Sequence, residues 1–161
     1  MTSCTLEQAY LAIDAALVSK NQQGFLMWLS ADHRTIMVDG TFLDYAHFTR
    51  PGLWDKDDDP FAAHIPHDIR IQDQTAVVLS RTYGVTGLNG RRIEIRGKCR
   101  DEWIWTGTQC KIRRRFKLEQ SYFEGDQLIL HRQLPAEVLA REAAPVRESA
   151  PARETAPART R

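Results

Sequence analysis

From residue 69 to residue 123 the chain reads as strand after strand: IRI, AVVLSRTYGV, RIEIRGKCRDEWIW and KIRRRFKLEQSYF. Turn residues separate the segments, and apolar and polar positions alternate within them. Successive side chains of a strand point to opposite faces, so each segment has one face to bury and one to leave wet. Such a run closes into an antiparallel sheet, and something outside the sheet must cover its apolar face.

The cover stands in front of it. Leu6, Ala9, Tyr10, Ile13, Ala16 and Leu17 fall on one side of a helix, and Thr5 with Gln8 has the spacing of a capping box. A second helix follows Asn21 and buries Phe25, Trp28 and Leu29. TIMV, residues 35 to 38, reads as a short strand ending at the turn pair Asp39-Gly40. FLDYAHF, residues 42 to 48, suits a third short helix closed by Pro51-Gly52. The expected class is α+β, with helices on one face of a curved antiparallel sheet.

Turn lengths set which side chains meet. With Leu88-Asn89-Gly90 as a three-residue hairpin loop, Val85, Tyr83, Arg81, Leu79 and Val77 lie opposite Ile93, Ile95, Gly97, Cys99 and Asp101. With residues 106 to 109 as a four-residue loop, Trp103 lies opposite Ile112, Asp101 opposite Arg114 and Cys99 opposite Phe116. On this register Arg113 and Arg115 point to water while Arg114 points in, so the basic run makes no continuous phosphate-binding patch. A one-residue change in loop length reverses that facing.

Residues 52 to 68 read as a loop. Asp55, Asp57 and Asp59 have the alternation of a calcium loop, but its glycine is missing and Pro66 stands where the bidentate glutamate belongs. His64 and His67 are spaced for a metal pair only on a helix, which Pro66 opposes. No metal and no cofactor is expected. His33 and His47 read as surface or capping residues.

The chain carries 22 Lys and Arg against 21 Asp and Glu over 161 residues, and residues 136 to 161, with five Arg and four Glu, leave 17 of each sign before them. That balance argues against nucleic acid as a partner. Cys4, Cys99 and Cys110 form neither a disulfide framework nor a zinc motif. With no signal-like N-terminus and no run long enough to span a membrane, a cytoplasmic location is expected. The C-terminus repeats REAAPV, RESAPA, RETAPA, RTR, too poor in apolar bulk to fold. The expected organisation is one domain over residues 1–135 and a disordered tail over 136–161, with AEVLARE able to add a helical turn.

The course of FLMWLSADHRTIMVDG followed by TAVVLSRTYGVTGLNGRRIEIRGKCRDEWIWTGTQCKIRRRF resembles the nuclear transport factor 2-like superfamily, in its polyketide-cyclase-like (SnoaL-like) and ketosteroid-isomerase-like group, over roughly residues 5 to 125. The resemblance implies a cone of curved sheet and helices around a pocket, and a homodimer formed through the outer sheet face. It carries the isomerase's general base onto Asp39 and its protonated acid onto Asp101, whereas the tyrosine expected on the first helix falls near Asp14, with Tyr10 one turn away.

Three functions are open at this point. The first is a protein binding a small hydrophobic molecule, with Tyr10, Asp14, Trp54, Tyr83, Trp103 and Arg114 as pocket residues. The second is a cofactor-free isomerase, cyclase or hydratase acting on a hydrophobic carbonyl compound, with Asp39 as base and Asp101 as neutral hydrogen-bond donor. The third is an interaction or assembly module with a filled cone. Against the second, Asp39 before Gly40 is equally a turn residue, and Asp101 facing an arginine is equally an ionised partner.

Overall fold

The computed structural model describes residues 3–54 and 61–143. The run DKDDDP and most of the C-terminal repeat lie outside them.

Helix α1 spans Ser3–Val18, starting two residues before the expected cap, and sinks Leu6, Ala9, Tyr10, Ile13 and Ala16 to between 0% and 5% exposure. Its end is a left-handed cap in which Lys20 takes φ 56° and Asn21 N–H reaches back to the Ala16 carbonyl at 2.8 Å. The Asn21 side chain then accepts from Gly24 N–H, opening α2 (Gln22–Leu26). One residue thus closes one helix and starts the next, which fixes the angle between them.

Strand β1 (Leu29–Ile36) starts six residues before the expected strand. Its buried polar residues find partners: Ser30 hydroxyl donates to the exposed Asp32, and His33 bonds the Ile112 carbonyl. The segment expected as a third helix divides into β2 (Phe42–Asp44) and a single turn, α3 (Tyr45–Phe48), capped by the Asp44 carboxylate on His47 N–H. β3 (Phe61–Gln72) contains the expected strand IRI and takes in residues 61–68 of the expected loop as well. Pro66 is tolerated there because β3 is the edge strand and shifts register between Pro66 and Asp68. β4 (Thr75–Leu88), β5 (Arg91–Trp105), β6 (Cys110–Glu124) and β7 (Gln127–Gln133) complete the sheet.

Among the described residues the sheet has seven strands in the order β2-β1-β6-β5-β4-β3, with β7 also on β6. It is mixed, since β1 runs parallel to β6 while the other pairings are antiparallel. The helices cover one face of this curved, unclosed sheet, and Leu6, Ile13, Phe25, Val78, Trp103 and Ile112 form the core between the layers.

Two registers differ from those expected. The β4–β5 turn uses two residues, Asn89 (φ 52°) and Gly90 (φ 75°), and so pairs Leu88 with Arg91 and Val78 with Asp101. Both central residues are left-handed, the geometry for which Asn-Gly is favoured. Val78 and Ser80 therefore face inward in place of Val77 and Leu79. The β5–β6 loop has the expected four residues and pairs Trp103 with Ile112, but the register then shifts, so Asp101 meets Arg115 instead of Arg114. Arg113 is the extra residue.

Helix α4 (Ala136–Ala143) follows the expected boundary near Pro135. It is tied to the sheet by Glu142, whose carboxylate lies 3.4 Å from Arg34 and whose carbonyl accepts from Arg114 at 2.5 Å.

Candidate functional site

Two layers of polar groups cross the interior, both built on α1. Tyr10 and Asp14 stand four residues apart, hence one above the other on the helix face turned to the sheet.

In the first layer the Asp101 carboxylate is fully buried and takes three donors. Arg115 Nε reaches Oδ1 and Nη2 reaches Oδ2, each at 2.7 Å, and the Tyr10 hydroxyl donates to Oδ2 at 2.6 Å. Trp103 Nε1–H donates to the Tyr10 oxygen at 3.1 Å. Burial pushes the Asp101 carboxyl upward, but the Arg115 charge and the hydrogen bonds from Arg115 and Tyr10 outweigh it and hold the group below the usual carboxylate range. Arg115 is held charged by the same contact, against its own burial. Burial, then the Asp101 charge, drives the Tyr10 phenol well above its ordinary value. Asp101 is therefore an ionised, paired carboxylate with no proton to donate.

In the second layer Asp14 accepts twice from His64, from the backbone N–H at 2.8 Å and from Nδ1–H at 2.5 Å. A carboxylate accepts only, so the proton sits on Nδ1 and the lone pair on Nε2. His64 Nε2 is buried and has no hydrogen-bond partner among the described residues. Burial lowers the imidazole pKa, with the Arg115 charge adding to it and Asp14 opposing it, so the ring is a neutral base. The Tyr10 ring stacks on it at 5.6 Å between centroids.

His64 lines a cavity of about 290 Å³. Its polar wall includes His33, Thr35, Thr82, Arg115, Lys117 and Gln120, and its apolar wall Leu17, Phe25, Leu29, Met37, Leu43 and Phe48. That volume is near the lower bound of ligand pockets, which run roughly from 300 to 1,000 Å³. His33, expected at the surface, is buried. Its Nδ1–H donates to the Ile112 carbonyl and its Nε2 accepts from the Thr35 hydroxyl, both at 2.9 Å, and burial holds its pKa at about 4. Both its ring nitrogens are engaged, unlike those of His64.

The residues singled out from sequence fall in several places. Asp14 is bonded to His64, and Tyr83 borders the cavity while pairing in register with Arg96. Tyr10 and Trp103 support Asp101 from within the core. Trp54 packs on Phe25 at 5.2 Å and donates to the Phe48 carbonyl. Arg114 lies with Glu102 at 2.5 Å, on the facing opposite to Asp101. Asp39 is an exposed turn residue whose Oδ1 accepts from Thr41 N–H and hydroxyl, bonds that lower its pKa; it is not among the residues lining the cavity. His64, His33, Arg115 and Lys117 were not read as site residues. Alternation along FAAHI gave no signal for His64, since it sets the apolar row Phe61, Ala63 and Ile65 on the opposite face, where Ile65 is in fact exposed.

Helices packed on a curved, unclosed sheet are the arrangement of the nuclear transport factor 2-like, or cystatin-like, fold, and the chain has it. Among solved structures it is similar to a candidate scytalone dehydratase from Novosphingobium aromaticivorans, at 12% identity and TM-score 0.65, over 83% of this chain and 91% of that one. A nuclear transport factor 2-like protein from Cytophaga hutchinsonii superposes at 14% identity and TM-score 0.60, over 72% and 97%. A candidate calcium/calmodulin-dependent kinase II association domain from Exiguobacterium sibiricum does so at 15% identity and TM-score 0.58, over 73% and 93%. No family model matches the sequence, and no curated protein matches it.

Proposed function

We propose that the protein binds a small, mainly apolar carbonyl compound in the cavity and that His64, not Asp39, is the base that removes a proton from it. The carrying observation is the state of His64: Nδ1 tied to Asp14, Nε2 buried and unpartnered on a side chain that lines the cavity. The Nε2 lone pair takes a proton from the carbon next to the carbonyl. The C–H electron pair becomes the enolate double bond, and the carbonyl oxygen takes the charge. Asp14 stabilises the imidazolium so formed and keeps the ring in its productive tautomer. Return of the proton to another carbon gives an isomerase; its transfer to a departing β-hydroxyl gives a dehydratase, a reaction of the kind named for one neighbour of the same fold.

The test is incorporation of deuterium from D2O at the α-carbons of small cyclic ketones, followed by NMR. Exchange that His64→Gln abolishes while the fold is retained supports the reading. Exchange equal in wild type and His64→Gln, or none above the buffer rate across a ketone series that binds, sinks it.

We also propose a homodimer. Strand β7 leaves Leu128, Ile129 and Leu130 at 52%, 48% and 40% exposure, a free apolar edge of the type that pairs with another chain. Light scattering that gives a monomer mass throughout a concentration series would end this reading.

A further inference from the structure

Lys117 is a charged cavity residue with no hydrogen-bond or ion-pair partner among the described residues. It lies directly opposite Cys99, which is 1% exposed, and directly opposed residues of an antiparallel pair share a face. Its side chain therefore rises from the inner face, and it is half-buried on the cavity wall. The other charges of the two layers are engaged: Arg115 with Asp101, and Asp14 with His64. No carboxylate among the described residues lies within ion-pair distance of Lys117, whereas Lys98 on the neighbouring strand has Glu119 at 3.0 Å. A half-buried ammonium beside an apolar wall is stabilised by an anion, since desolvating it unpaired costs free energy.

We infer that the cavity takes a ligand carrying a carboxylate, held by the Lys117 ammonium, with its hydrocarbon part against the apolar wall. This rests on the proposed use of the cavity and narrows its substrate to a small oxo acid, whose reactive C–H faces His64 Nε2 while its carboxylate faces Lys117. One wall residue fixes the charged end and the other meets the reacting carbon, so the molecule has a single productive orientation.

The experiment is a binding titration by NMR, with cyclohexanecarboxylate and its methyl ester as probes, on wild type, Lys117→Met, Lys117→Arg and His64→Gln. The carboxylate is expected to bind wild type better than the ester and to weaken roughly tenfold to a hundredfold in Lys117→Met, the range for a charge-assisted hydrogen bond. Lys117→Arg is expected to keep most of the affinity, and the ester to be indifferent to both changes. Equal affinity for acid and ester in wild type overturns the inference without any variant, and so does carboxylate affinity unchanged in folded Lys117→Met. His64→Gln separates the two proposals. It is expected to lose deuterium exchange and retain carboxylate binding. Carboxylate binding that depends on Lys117, with no exchange in wild type, sinks the proton transfer alone.

Discussion

His64 on β3 and Asp14 on α1 stand 50 positions apart in sequence, yet one carboxylate accepts both the backbone N–H of His64 at 2.8 Å and its ring Nδ1–H at 2.5 Å. The double contact sets the position of the strand and the tautomer of the ring at once. For the proposed proton transfer, such a fixed ring would reorganise little during reaction.

Asp14→Asn tests that coupling. Asp14 raises the His64 pKa through its hydrogen bond and its charge, against burial and the Arg115 charge. Losing the charge is expected to lower the His64 pKa further, read from its ring protons in an NMR pH titration. Proton transfer is expected to fall roughly a hundredfold or more, within the usual range for a positioned base. An unchanged titration would show that the carboxylate only packs.

Asp101→Asn tests the first layer. The change leaves Arg115 buried without its counter-charge, and breaking such a pair costs about 3–5 kcal/mol. Urea unfolding is the measurement. Asp101→Leu combined with Arg115→Met is expected to recover much of the loss, since two apolar groups leave no charge stranded.

Stability is expected to fall on mild acidification. His33 is held at about 4 in the folded protein against an ordinary 6.5, so the unfolded chain binds the extra proton between those values. The contribution is complete above pH 6.5 and is lost as the pH falls towards 4, on the order of 3 kcal/mol for that gap. His64, shifted in the same direction, adds with the same sign. Asp101, held low, withdraws its contribution below the ordinary carboxylate range. Denaturation midpoints from pH 7 to pH 4 read the slope, and His33→Gln is expected to flatten it.

Gly97→Ala tests the close approach of β4 and β6 to β5. A Cβ there would stand 2.7 Å from the Glu119 carbonyl and 2.8 Å from the Thr82 hydroxyl, so backbone must move, at about 1–3 kcal/mol. At Gly90 a Cβ meets nothing within 4 Å and only the left-handed φ of 75° is strained, for about 1–2 kcal/mol. The two variants separate crowding from backbone strain in one unfolding series; only Gly97→Ala is expected to shift amide resonances of Glu119 and Gln120.

Much of the frame was legible because it is local. The buried face of α1 follows from the spacing of Leu6, Ala9, Tyr10 and Ile13, and the inward row Ile93, Cys99, Asp101 and Trp103 from alternation along β5. Where polar residues are buried the reading failed. Ser30 and His33 on β1, and His64 on β3, look like loop because their partners Ile112, Thr35 and Asp14 are mostly remote or need a strand to reach them.

The sequence by itself determined α1 and its buried face, the long strands β4, β5 and β6 with the inward row of β5, and an arginine for Asp101. Tertiary structure alone decided which arginine. One extra residue, Arg113, shifts β6 against β5 and turns Arg115 inward and Arg114 out, because side chains alternate with a period of two and a single inserted position exchanges the faces. The same holds for His64, whose role depends on α1 lying across β3 so that Asp14 meets Nδ1. Periodicity is written in the chain; contacts between distant residues are fixed only when the layers pack.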